Sequence, residues 1–165
     1  MPFASRHESC VSSLFHLVHY DIWGPINTPS LLGFRYFVIF VDDGSRVTYF
    51  YLMKERSELY SIFKLFYMEI KTQINASLRI IWSNNGREYF HPSLSQFFYD
   101  HGIIHQSSCP HTPQQNGVVE RKMHHLLEVT RALKFHMCVP KSYWSEAVLT
   151  TYHLINRMPS TILGG

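Results

Sequence analysis

Between positions 34 and 74 the apolar residues change their period, and that change constrains the fold more than any other feature of the chain. Residues 34–41 are apolar on both alternating faces, as in a central strand buried on its two sides. Asp42-Asp43-Gly44-Ser45 then supplies a hairpin-type turn, and 47–53 returns as a second strand. From Ser57 onward Leu59, Ile62, Phe63, Phe66, Ile70 and Ile74 recur at helical spacing, which predicts a helix ending before Asn75 with one apolar stripe. A strand pair followed by such a helix implies layers, with the helix covering one face of a sheet.

The rest of the chain extends this pattern. Residues 14–20 read as a strand that ends at an Asp21 turn, adjacent and antiparallel to the central strand. A short β-type run over 78–82 leads into Ser83-Asn84-Asn85-Gly86, which places Asn84 just past a strand end. Pro92, the one-face spacing of Leu94, Phe97, Phe98 and His101, and Gly102 at the stop mark a short helix, after which 103–106 is a strand. Two prolines and mostly polar residues make 107–116 a loop. A long helix follows over 117–137, with Val119, Met123, Leu126, Leu133 and Met137 facing the core. A last helix over 142–157 is anchored by Tyr143, Trp144, Ala147, Val148, Thr151 and Ile155. Apolar spacing of that kind favours packing over a base-stacking platform. The expected organisation is a polar leader over 1–13, one domain over 14–160 and a tail over 161–165, with no internal repeat.

Composition agrees with one folded unit. The 165 residues are 45% hydrophobic and only 16% charged, which argues against disorder and leaves room for a single core. No apolar run approaches the roughly 20 residues of a membrane helix, and the Met1 end lacks the order of a signal peptide, so an intracellular, soluble protein with no membrane partner is expected. Cys10, Cys109 and Cys138 form no CxxC pair, so neither a disulfide framework nor a four-ligand zinc site is indicated; His7 with Cys10 reads as leader. A net charge of +3 suits a polyanionic partner without identifying one.

Three positions draw the chemistry together. Asp21 lies in His19-Tyr20-Asp21-Ile22-Trp23-Gly24-Pro25, Asn84 in Ser83-Asn84-Asn85-Gly86-Arg87-Glu88-Tyr89, and Glu120 in Asn116-Gly117-Val118-Val119-Glu120-Arg121-Lys122, with 35 residues between positions 84 and 120. Taken singly, Asp21 is a strand-end acid and Glu120 a solvated helix position. Together, these flanks and this spacing resemble the catalytic core of a retroelement integrase of the copia-type LTR retrotransposons. The resemblance runs from about Pro2 to Ser160.

What the resemblance implies is an α/β, ribonuclease H-like fold, a mixed five-stranded sheet flanked by helices. It implies catalytic and metal-ligating roles for Asp21, Asn84 and Glu120, Mg²⁺ or Mn²⁺ as cofactor with two ions in the family, and DNA as partner, both element ends and target. Carboxylates suit that task because two hard cations about 4 Å apart can activate one oxygen and stabilise another in phosphoryl transfer. The family has Asp where this chain has Asn84. An amide offers a carbonyl oxygen of similar shape but no negative charge, so weakened ion binding and impaired strand transfer are expected. Asp42, Asp43, Glu88 and Asp100 are the other acids considered. The two adjacent aspartates read as turn formers, Asp100 as a helix end, and Glu88 as out of place without a loop rearrangement.

The loop and helix around Gln114, Gln115, Asn116, Arg121, Lys122 and Arg131 form the expected DNA-contacting face. Two functions stand side by side. One is an integrase core joining DNA by metal-assisted transesterification, nuclear if functional. The other is a silent nucleic-acid-binding or oligomerising module from a decayed element.

Overall fold

A computed structural model describes residues 13–108 and 116–158. The expected leader, the tail, Gln114, Gln115, Cys10 and Cys109 lie wholly or almost wholly outside the described residues. Strands β1 (Leu17–Trp23), β2 (Tyr36–Asp42) and β3 (Thr48–Met53) come first, followed by helix α1 (Leu59–Gln73), β4 (Ile80–Ser83), α2 (Pro92–Asp100), β5 (Ile104–Ser107), α3 (Gly117–His136) and α4 (Trp144–Arg157). The strands form one mixed sheet in the order β3-β2-β1-β4-β5. Pairs β1–β2 and β2–β3 are antiparallel, while β1–β4 and β4–β5 are parallel.

Period-2 alternation on β2 sends its side chains into two separate cores. Val38 and Phe40 join Val18, Tyr20 and Met53 beneath α1 and α2, where Phe63, Phe66, Ile70, Leu94 and Phe98 complete the layer. Phe37, Ile39 and Val41 pack on the other side against Val119, Met123 and Leu126 of α3 and Trp144 and Val148 of α4. Aromatic rings fill the first core: Phe40 stacks on Phe66 with centroids 4.2 Å apart, and Phe63 meets Phe98 edge-on at 5.0 Å. The central strand buried on both faces is the one anticipated from residues 34–41.

Three expectations change. Strand β1 does not end at Asp21 but continues through Trp23, because β2 offers partners that far: Asp21 pairs with Ile39 and Trp23 with Phe37. The parallel neighbour β4 pairs only as far as His19 with Trp82, so Asp21 is mid-strand on one side and past the ladder on the other. The α3 core stripe stops short of Leu133 and Met137. Thr130 is its last buried residue, Leu133 is half-buried and Met137 is 72% exposed, since the helix runs on past the sheet that covers its first four turns. Tyr143 is exposed rather than an anchor, with Trp144 filling the core position beside it.

Candidate functional site

On β1, Val18 and Tyr20 enter the α1/α2 core, so alternation turns His19, Asp21 and Trp23 to the side covered by α3. Helix α3 carries Glu120 in its first turn, exposed to solvent. Asn84 follows β4 directly, beside the end of the β1–β4 ladder. Parallel pairing and one helix start therefore bring residues 21, 84 and 120 to one end of the sheet.

Within this group Asp21 and Asn84 touch. Asn84 Nδ2 donates to Asp21 Oδ1 at 2.8 Å, and Asn84 Oδ1 accepts from the Gly86 N–H at 2.9 Å. The two bonds fix the amide's orientation: the reverse would set an N–H against an N–H and an oxygen against a carboxylate oxygen. Asp21 Oδ1 also accepts from the Tyr89 hydroxyl at 2.8 Å and from the Ile22 N–H at 2.9 Å, so one carboxylate oxygen takes three donors.

Burial raises the Asp21 carboxyl above the usual carboxylate range; the Tyr89 and Ile22 bonds pull it back, and the carboxylates of Glu120 and Glu88 push it up again. Both carboxylates are thus within electrostatic reach of Asp21. Burial, then the adjacent Asp21, drives the Tyr89 phenol far above its ordinary value, so the hydroxyl stays a donor. Glu88 is engaged elsewhere, accepting from Arg56 Nη1 at 2.8 Å while Arg56 Nη2 donates to the Gly24 carbonyl at 3.2 Å. That brace ties the segments before α1, after β1 and after β4 into one rim.

A second network supports the start of α3. His19, 5% exposed, meets Asp43 through Nε2 at 3.0 Å and Asn116 Oδ1 through Nδ1 at 3.4 Å. The His19 bond is the main reason that Asp43 titrates below the ordinary range. Asn116, expected at a DNA-facing position, is buried and directed at His19. Arg121 is exposed with its guanidinium folded over Gly117, Arg131 is exposed, and Lys122 is half-buried, its ammonium lowered by burial and then by Arg46. The other acids weighed in the sequence are committed locally. Asp42 accepts from the Phe15 N–H and from Ser45, and Asp100 accepts from Gln96. Sequence reading did not single out Tyr89 or His19, although each lies in the motif of a residue that it did select.

No family model matches the chain. Known proteins nevertheless align with nearly all of it. The chain is 36% identical over 151 residues to the retrovirus-related Pol polyprotein from transposon TNT 1-94 of Nicotiana tabacum, which covers 92% of this chain and 11% of the relative. It is 37% identical over 164 residues to the Pol polyprotein from transposon RE2 of Arabidopsis thaliana, covering 99% of this chain and 11% of that one. The chain belongs to the copia-type retrotransposon Pol family. It spans about a tenth of the length of these Pol relatives. Among solved structures, the catalytic core domain of BIV integrase superposes with a TM-score of 0.62 at 18% identity, over 88% of this chain and 86% of that one. A chain of the simian T-cell lymphotropic virus intasome gives 0.69 at 18% identity, over 88% of this chain and 49% of that one. The copia-type segment therefore has the ribonuclease H-like fold of an integrase catalytic core.

Proposed function

We propose that this domain is a retrotransposon integrase core that retains a DNA-facing surface and has lost most of its strand-transfer activity at Asn84. The observation that carries the reading is the 2.8 Å bond from Asn84 Nδ2 to Asp21 Oδ1. At the position where the family resemblance implies an acid, this chain presents a donor that consumes an acceptor lone pair of Asp21. Its own carbonyl oxygen is bound to the Gly86 N–H.

The residues present do not fit the Mg²⁺ or Mn²⁺ pair that the resemblance implies. Hard divalent ions need anionic oxygens with free lone pairs. Here Asp21 meets an amide aimed the wrong way, Glu120 stands exposed at the start of α3, and no cluster of three His, Cys, Asp or Glu suited to an ion occurs among the described residues. With ion-dependent stabilisation worth several kcal/mol, strand transfer falls by about a thousandfold or more.

What this chain's own groups do is bind and orient. Arg121, Lys122 and Arg131 on α3, with Gln114 and Gln115 before it, offer cations and amides to a phosphate backbone. The ancestral substrates in this reading are element ends and target DNA. No described helix is long and apolar enough to cross a membrane.

The test is Mn²⁺-dependent strand joining on DNA with pre-opened ends, comparing the chain with Asn84→Asp at equal folded concentration. Activity only in the Asp variant supports a disabled integrase core. Equal activity in both overturns the proposed role of Asn84.

A further inference from the structure

A cavity of about 450 Å³ lies between the end of β1 and the turn that joins α3 to α4. Its walls include Trp23, Pro25, Ile26 and Trp144, and Lys134 and Lys141 stand at its rim. Among the described residues no carboxylate lines it and neither lysine has an ion-pair partner. Lys134 lies 14 positions after Glu120 on α3, about 21 Å along the helix at 1.5 Å per residue. The Lys134 rim is therefore well separated from Glu120, Arg121 and Lys122, while the Trp23 wall lies two positions along β1 from Asp21.

Two bland readings are available. Lys134 lies in the last turn of α3, where a cation suits the helix dipole. That accounts for one lysine but not for Lys141, which precedes α4, nor for the apolar cavity between them. The other reading is a nucleotide site, with a base against tryptophan and phosphates on the lysines. Stacking requires an open ring face. Trp144 is 4% exposed and offers none, and Trp23 is half-buried with Phe37 against it at a centroid distance of 5.4 Å, which leaves at most one face and no aromatic pair to sandwich a base.

We propose that this pocket binds an acidic peptide segment, one apolar side chain filling the cavity with flanking carboxylates on Lys134 and Lys141. The volume takes a large apolar side chain together with part of the backbone that carries it, and the two ammonium groups supply charge complementarity across the opening. The partner is thus a protein with an acidic, hydrophobic stretch, bound where α3 ends, one helical turn beyond Arg131. Nothing in this assignment depends on ion binding at Asp21.

The chain reports on the pocket directly. It has three tryptophans; Trp23 and Trp144 line the cavity, while Trp82 lies on β4 and donates to Ser108 at 3.4 Å. The Trp144 indole N–H is buried with no acceptor. The probe is an end-blocked Glu-Phe-Asp tripeptide titrated into the ¹⁵N-labelled chain to about 1 mM, a range suited to a short peptide with few contacts. Expected are saturable shifts of the Trp23 and Trp144 indole signals with Trp82 still, at least tenfold weaker binding of Gln-Phe-Asn, and loss of binding in Lys134→Gln/Lys141→Gln at unchanged melting temperature. The proposal is overturned if no indole moves, if the uncharged peptide binds equally well, or if the double variant binds as the parent does. A single-stranded oligonucleotide that moves the same two indoles at lower concentration than the peptide overturns it in favour of nucleic acid.

Discussion

Replacing Asn84 by Asp is the most informative perturbation, because its effect on the empty fold has the opposite sign to its effect with ions. The amide nitrogen lies 2.8 Å from Asp21 Oδ1, so the substitution exchanges a donor for a carboxylate oxygen at contact distance. Two unit charges at that separation repel by about 6 kcal/mol at an effective dielectric of 20, and by about 4 kcal/mol once the side chains part to roughly 4 Å. The lost bond to a charged acceptor adds about 1.5–3 kcal/mol. Shared protonation limits the total, since holding one ordinary carboxyl protonated near pH 7.5 costs about 4–5 kcal/mol. A net destabilisation of about 3–5 kcal/mol follows, or roughly 6–20 °C in Tm for a domain of this size. A bound divalent ion reverses it: Mn²⁺ at a hundred times its Kd restores about 2.7 kcal/mol. The assay is thermal unfolding of both chains at pH 7.5, with chelator and then with increasing Mn²⁺. Equal melting temperatures in chelator would refute the contact between residues 21 and 84. An equal gain from Mn²⁺ in both chains would refute the claim that Asn84 is what excludes the ion.

Other predictions follow from the same structure. Asp21→Asn raises the melting temperature at pH 7, because a raised folded-state pKa means that the buried charge costs stability above that value; the gain fades as pH falls towards the unfolded value near 3.8, and a pH series of melting curves reads it. Asp43→Asn does the reverse. Its lowered pKa stabilises the fold above the unfolded value and the benefit is lost as pH falls through the folded value, so the variant melts lower than the parent at pH 7 and the gap closes in acid. Phe66→Ala, which removes the ring stacked on Phe40 and edge-on to Phe15, costs about 3–5 kcal/mol in urea unfolding with little change in m-value. Arg121→Ala with Lys122→Ala weakens DNA binding uniformly across sequences and lowers the log–log salt slope by about 2, read by fluorescence anisotropy in a salt series.

Local chemistry made much of the fold legible. The two-sided apolar run of β2 and the helical stripe of α1 declare their packing without reference to the rest of the chain, since period alone selects which side chains can share a face. The errors lie where a distant partner decides. Strand β1 extends past Asp21 because β2 pairs with it to Trp23, and the buried stripe of α3 ends at Thr130 because the sheet beneath it ends. Tyr143 and Trp144 are adjacent aromatic residues that spacing treats alike, and only the approach of α3 settles which of them is buried.

The candidate site divides in the same way. Local pattern alone placed an amide at residue 84, just past a strand, in a motif where the family resemblance implies an acid. Which way the amide points was decided by the tertiary structure, through a bond to a residue 63 positions away and an N–H two positions on. Tyr89 reaches Asp21 across 68 positions, and Asn116 turns inward to His19 across 97. Hydrogen bonds of that range have no period, so the residues that define a network carry no mark of it in the chain. Helical and strand spacing arise from backbone geometry repeated every few residues, and that repetition is why the layers could be read in advance while the polar contacts between them could not.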